Sequence, residues 1–291
     1  MRVDRLYDRD LPVFSFEFFP PKTDKGAENL MRTVADLKGA VEPDFISVTY
    51  GAGGSTRDRT HEVVTRIQSE LGTTAMAHQT CIAATREDIV TNVQSLLDAG
   101  VANVLALRGD QPKDEAFEPP ANGFSNATDL IEFLRERFGD ALSIGAACYP
   151  EVHPEAESAA RDLHWTKLKQ DLGAGFLVSQ LFFDTAQFFQ FLERAREAGV
   201  TLPIVPGIMP ITNVVQIERF TSMCGASIPD ELHERLKAVQ DDPGAVMATG
   251  VEHAITQCRE LLEAGVAGLH FYTLNKSYAT RTILAAIRQI A

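Results

Sequence analysis

The chain has 291 residues, of which 45% are apolar, and its 40 acidic against 27 basic side chains give a net charge of -13. That apolar share excludes a disordered chain. The acidic balance argues against nucleic acid and polybasic membrane partners, and the length suits two ordinary domains or one α/β barrel.

Cys81, Cys148, Cys224 and Cys258 form no CxxC pair and no regular spacing, so reduced thiols in the cytoplasm are expected rather than a metal centre or a disulfide framework. The opening MRVDRLYDRDLP lacks the apolar core of a secretory signal, and no apolar run approaches the ~20 residues of a membrane-spanning helix.

In chain order, the first predicted strand is Val13–Phe18, followed by a helix over Lys25–Leu37. Strand two is Asp44–Tyr50. Its helix, Arg57–Leu71, sets Val63, Val64, Ile67 and Leu71 on one stripe at helical spacing. Ala75–Thr80 and Glu87–Ala99 form the third unit, Asn103–Leu107 and Ala127–Phe138 the fourth, Ser143–Tyr149 and Glu155–Leu172 the fifth. Phe176–Phe183 and Ala186–Ala198 make the sixth. Strand seven is Pro203–Gly207, and the stretch Ile208–Gly265 is too long for one helix. It divides into Asn213–Ser222, Asp230–Val239 and Pro243–Ala264. Strand eight, Gly268–Leu274, leads into Lys276–Ile290. Glycines 100, 199 and 265 follow helices where a left-handed cap is needed.

Strict alternation with helix-length connections implies parallel strands and right-handed crossovers. Eight such units predict a closed (β/α)8 TIM barrel with extra helices before strand eight, with an open doubly wound sheet as the alternative. The whole of 1–291 is expected to be one barrel domain. The Pro/Gly-rich stretch Gln111–Asn126 suits a lid or a surface insertion equally.

In barrels of this class the active site gathers at the carboxyl ends of the strands. Glu17, Thr49, Tyr50, His78, Gln79, Arg108, Gly109, Asp110, Tyr149, Glu151, His153, Gln180, Tyr272 and Asn275 all fall there. A purely structural barrel has no need of so many polar groups. Period-two alternation puts Val13, Ser15 and Glu17 on one face of strand one and Phe14, Phe16 and Phe18 on the other. If the phenylalanines meet the helices, Glu17 points into the barrel. Unpaired there, it would have a raised pKa and could donate a proton; alternatively it is an ion-pair partner of Arg108 or Lys276. Arg108 suits an anionic group, or pairs with Asp110. Gly51–Thr56 (GAGGST) is no phosphate-binding fingerprint and reads as a permissive turn. Asp162 and Trp165 share a helix face, with Lys169 a turn further on.

FEFFPP, SVTYGAGGSTRDRTH, HQTC, LRGD, YPEVHPEA, SQLFFD, PGIMP and HFYTLN follow one another at the eight strands. In this order they resemble the bacterial methylenetetrahydrofolate reductase family over nearly the whole chain. The resemblance implies a barrel that holds FAD without a dinucleotide fingerprint. It implies reduction of 5,10-methylenetetrahydrofolate to 5-methyltetrahydrofolate by NADH or NADPH in a ping-pong cycle, supplying methyl groups for methionine synthesis. By resemblance Glu17 is the general acid, Asp110 a carboxylate near pterin and flavin, and Gln180 an amide that binds either substrate. Flavin contacts carry over to Thr49, Tyr50, Ala52, His78, Arg108, Gly109, Asp110, Tyr149, His153, Asp162 and Lys169, and substrate contacts to Asp110, Gln180 and Lys276.

Three positions depart from the family pattern. Val214 stands where relatives often carry an aromatic, Lys276 where arginine is usual, and Trp165 where a smaller polar residue is found. A flavin-free reductase of the same folate and a ligand-binding module without turnover are the competing readings. No metal is expected and no regulatory domain; a homo-oligomer is left open.

Overall fold

The computed structural model describes residues 1–50, 56–111 and 117–288. Eight parallel strands close into a barrel in sequence order, each paired with the next and β8 with β1. They are β1 (Val13–Phe18), β2 (Phe45–Val48), β3 (Ala75–Thr80), β4 (Asn103–Leu107), β5 (Ser143–Cys148), β6 (Phe176–Leu181), β7 (Ile204–Ile208) and β8 (Gly268–Tyr272). The closed ring decides against the open sheet. All eight predicted strands and their connecting helices are present, displaced by a few residues at some ends.

The helices are α1 (Asp24–Val41), α2 (Arg57–Glu70), α3 (Arg86–Asp98), α4 (Ala127–Phe138), α5 (Ala159–Asp171), α6 (Thr185–Glu197), α7 (Val214–Cys224), α8 (Asp230–Ala238), α9 (Pro243–Glu263) and α10 (Tyr278–Ile287). The displacement that bears on the site is at α5, which starts at Ala159 rather than Glu155. Ser158 accepts a hydrogen bond from the Arg161 amide and caps the helix there. The residues before it are thereby freed to form a loop over the barrel mouth.

Alternation along β1 works as its pattern requires. Phe14, Phe16 and Phe18 join the apolar layer between strands and helices, while Val13 belongs to the barrel interior with Phe45, Met76, Leu105, Phe176 and Val178. A short 3-10 helix, Val3–Asp8, which no periodicity announces, closes the amino-terminal end of the barrel. Val3 and Leu6 are buried in the interior cluster. Asn103 ties this plug to the strands: its Oδ1 accepts from the Val3 amide at 2.8 Å, and its Nδ2 lies 3.0 Å from both the Met1 and the Ala75 carbonyl oxygens.

The surplus helices α7, α8 and α9 carry a second apolar cluster of Leu181, Phe183, Met209, Ile211, Val214, Ile217, Leu232, Leu236 and Val246. Gly250 lets α9 lie against the segment after β7, since a Cβ there would stand 2.0 Å from the Ile211 carbonyl oxygen. Between β6 and β7 the register slips after Val178 and resumes at Leu181. This irregularity re-aims the carboxyl end of β6 toward the barrel mouth.

Replacing Asn103 with Ala leaves the Val3 amide and the Ala75 carbonyl without their buried partner. A loss of about 1–3 kcal/mol in urea-unfolding free energy is expected, with the barrel intact by circular dichroism.

Candidate active site at the barrel mouth

A cavity of about 430 Å³ opens at the carboxyl ends of the strands. Glu17, Thr49, His78, Arg108, Asp110, Tyr149, His153 and Gln180 all line it, together with Tyr272, Phe220 and Met223. A lateral cavity of about 220 Å³ runs between β4, β5, α4 and α5 and adds Asp162, Trp165 and Lys169. The two share Leu107, Arg108, Ala147, Tyr149, His153 and Glu155 as a common wall, so they form one elongated cleft.

Glu17 lies at its floor, 7% exposed. It is neither unpaired nor matched with Arg108 or Lys276. Oε2 lies 3.0 Å from His78 Nε2 and 3.3 Å from His270 Nε2. The His270 contact is a hydrogen bond. His78 Nε2 is close enough for Coulomb attraction but is buried without an aligned hydrogen-bond partner. Burial alone would push the Glu17 carboxyl up, but the two imidazoles together outweigh it and hold the group at about 2. The expectation of a raised pKa for this residue is therefore corrected: its neighbours favour the carboxylate.

Sequence reasoning missed His270, although strand alternation offers the signal. His270 is the register partner of Ser15, and Tyr272 of Glu17, so all four share the interior face.

The other residues are positioned by loops and local irregularities. At the slip in β6, the Ser179 hydroxyl accepts from the Gly207 amide while Gln180 Oε1 accepts from the Leu181 amide. Gly207 leaves room for Tyr272, whose ring a Cβ would meet at 2.6 Å and whose hydroxyl donates to the Ser179 carbonyl at 2.7 Å. After β4, Gly109 takes φ +86 with its missing Cβ against Thr80, and this turn delivers Asp110 to the exposed rim.

The loop after β5 contains Val152 at φ 68, a conformation that β-branched residues rarely adopt. On either side of it, the His153 amide donates to Asp162 and Glu151 accepts from the Ser227 amide. The Tyr149 and His153 rings meet edge to face at 4.6 Å. Burial pushes the His153 imidazole down.

Two cations face the lateral cavity. Arg108 pairs with Glu155 at 2.6 Å rather than with Asp110, and this bond raises its pKa. Lys169 donates to the Ala147 carbonyl at 2.7 Å, and burial lowers its pKa.

Several expected residues stand apart. Tyr50 accepts a hydrogen bond from Arg57 Nε at 3.2 Å and does not line either cavity. Gly109 acts through its turn, and Lys276 is exposed on the turn after β8, off the cavity wall. Gln79 is drawn toward the helix layer by Asn92, and Asn275 clamps the backbone of Phe19. Ala52, with most of the GAGGST turn, lies outside the described residues. Val214 is buried in the α7–α9 cluster, and the aromatic that α7 presents to the cavity is Phe220. The far end of Gln111–Asn126 is pinned by Phe124, which packs on Phe133 beneath Arg86.

A parallel barrel with its polar groups converging on a cleft at the carboxyl ends of the strands has the form of a barrel enzyme. A sequence model of the methylenetetrahydrofolate reductase family matches residues 2–288. The 5,10-methylenetetrahydrofolate reductase of Pectobacterium carotovorum subsp. carotovorum is 38% identical over 263 residues, covering 90% of this chain and 86% of that protein. The reductase of Salmonella typhimurium is 37% identical over 265 residues with the same coverage. This chain belongs to the methylenetetrahydrofolate reductase family.

It spans about half the length of its plant relatives. The probable methylenetetrahydrofolate reductase (NADH) of Oryza sativa, for example, is 40% identical over 94% of this chain but only 47% of its own. Among solved structures, an uncharacterized protein from Clostridium thermocellum that binds two copies of 5-methyl-5,6,7,8-tetrahydrofolic acid matches with TM-score 0.70 and 14% identity, covering 100% and 99% of the two chains. Dihydropteroate synthase from Xanthomonas albilineans matches with TM-score 0.53 and 13% identity over 97% and 94%. These likenesses show the barrel fold alone. Among the described residues no helix is long and apolar enough to cross a membrane.

The depressed Glu17 pKa has a measurable consequence. A carboxyl held below its ordinary value stabilises the fold above pH 4.5, and that contribution fades as the pH falls toward 2. In urea unfolding, the stability advantage of the native protein over Glu17→Gln should therefore shrink as the pH is lowered below 4.5. An advantage that grows there contradicts the ion cluster.

Proposed function

We propose that this chain reduces 5,10-methylenetetrahydrofolate to 5-methyltetrahydrofolate with NADH or NADPH, using FAD as resident carrier in a ping-pong cycle. The observation that carries the reading is a carboxylate and two imidazoles buried at the floor of a cleft whose rim presents Asp110 and whose wall presents Gln180. Folate reduction needs these parts. The methylene carbon bridges two nitrogens of the folate. To open that ring, the bond from the carbon to N10 must break with its electron pair staying on N10, which needs a proton there. The Glu17 cluster supplies it. The remaining carbon–N5 unit carries positive charge, which the Asp110 carboxylate stabilises. The Gln180 amide orients the bound substrate.

The cleft suits a flavin dinucleotide. It is elongated, His78 and Asp110 are among the donors and acceptors that line it, and Arg108 and Lys169 stand toward its lateral end. Thr49, His78, Asp110 and Tyr149 would hold the ring portion, with Gly109 shaping the turn beneath Asp110; Arg108, His153, Asp162 and Lys169 would hold the linker and adenosine portion. FAD supplies, when bound, the hydride relay between nicotinamide and folate. On this reading 1–291 works as one catalytic barrel, in the cytoplasm where its thiols stay reduced, and provides methyl groups for methionine synthesis.

Two observations favour a second reading. Arg108 is already neutralised by Glu155, and Trp165 forms part of the lateral wall. A reductase taking hydride directly from the nicotinamide would need no diphosphate receptor there. Turnover by protein stripped of flavin would select that alternative.

In stopped-flow half-reactions, Glu17→Gln should leave flavin reduction by the nicotinamide within a few-fold of native. Folate reduction should fall about 10²–10⁴-fold, the usual contribution of general acid catalysis. Equal loss in both half-reactions would overturn the role of Glu17. Asp110→Asn should also slow the folate half-reaction, through the lost negative charge, while its protein remains folded.

A further inference from the structure

We propose that His270 and Ser15 are positioning residues that load and hold the proton delivered by Glu17. The inference rests on the reading above and extends it beyond the carboxylate. Four side chains form a continuous buried line: the Ser15 hydroxyl lies 2.8 Å from His270 Nδ1, and His270 Nε2 lies 3.3 Å from Glu17 Oε2, against which His78 also stands at 3.0 Å. Ser15 and His270 are both 0% exposed. His270 cannot move freely, because its ring stacks on Phe45 at 6.3 Å and meets Tyr272 edge-on at 5.3 Å.

Glu17 must be a carboxylate at one stage of the cycle and a proton donor at another. Its surroundings favour the carboxylate, so a proton must come from a neighbour. His270 has the geometry for this, and Ser15 makes both of its states satisfiable. When Nδ1 is bare, the serine hydroxyl donates to it and Nε2–H donates to Glu17. When Nδ1 carries a hydrogen, the same hydroxyl turns to accept it, and its own hydrogen points to the Leu269 carbonyl, 3.5 Å away. A hydroxyl can play either part, as an alanine or a carbonyl cannot.

The proton balance follows. In the loaded state His270 is doubly protonated beside the Glu17 carboxylate. His270 passes its Nε2 proton to the Glu17 carboxylate, Glu17 gives that proton to folate N10, the carbon–N10 bond breaks onto N10, and the cluster is left one proton short. Water at the open cleft restores it before the next turnover. The other titratable side chains facing the cluster are His78 from β3, Tyr272 from β8 and Tyr149 from β5.

The test uses the flavin-loaded enzyme and the ligand-free protein together. His270→Gln retains an N–H donor toward Oε2 but cannot take up a proton. It should cut the folate half-reaction at least about 10-fold, with flavin reduction by NADH or NADPH unchanged. Ser15→Ala should shift the pH profile of the folate half-reaction alone. A merely structural role would instead leave both variants impaired equally in the two half-reactions, or leave the pH profile unmoved, and either result overturns the proposal.

In ligand-free protein, ¹⁵N spectra of the His270 ring read the coupling without turnover. Glu17→Gln should move the His270 Nε2 resonance, because that nitrogen loses its carboxylate partner 3.3 Å away, and an unmoved resonance overturns the proposal even if the variants prove hard to assay. Absence of any folate reduction by native enzyme would instead defeat the functional reading itself.

Discussion

The arrangement at the barrel mouth depends on one constraint: a carboxylate is buried where little water can solvate it. A lone charge in such a place costs several kcal/mol, so Glu17 requires compensation from within the barrel. His78 and His270 provide it from strands on either side. His78 reaches Glu17 from β3, across β2, and the strand of His270 neighbours that of Glu17 only because the sheet closes, β8 pairing with β1. An open sheet of the same sequence would leave Glu17 and His270 on different edges.

That constraint explains why the interior changes character along the barrel axis. At the amino-terminal end it is apolar, filled by Phe45, Met76, Phe176 and the residues of the N-terminal plug. One layer up, Ser15 and His270 face each other, and above them Glu17 and Tyr272. The dry lower core excludes water from beneath the ion cluster, so exchange with solvent is directed through the cleft. The surrounding loops then add groups by local devices. These are the register slip that presents Gln180, the glycine turn that delivers Asp110, and the strained Val152 loop that sets His153 over Tyr149.

Much of this was legible in the sequence, and the remainder was not for definite reasons. VFSFEF reads directly, because period-two alternation alone sends Glu17 inward and the phenylalanines outward. The glycine after each of three helices marks its end because a positive φ is required there. What pairs with Glu17 is a contact across about 250 residues of chain, set by barrel closure and register rather than by local pattern. Candidates chosen by charge, Arg108 and Lys276, were therefore the wrong partners. Arg108 found Glu155 instead because α5 starts late and leaves that residue in a loop. The 3-10 plug was invisible because six residues carry no helical period. The family motif HFYTLN begins at His270, but the motif attaches no role to it, and its contacts with Ser15 and Glu17 appear only once β8 is paired with β1.

The central claim is that this cleft carries a flavin-dependent reduction of methylenetetrahydrofolate. An anaerobic absorption spectrum of the purified protein, supplied with FAD, tests it most directly. The account predicts flavin bands that bleach on adding NADH or NADPH and return when methylenetetrahydrofolate is added. A protein that takes up no FAD, or whose reduced flavin is not reoxidised by the folate, would contradict it.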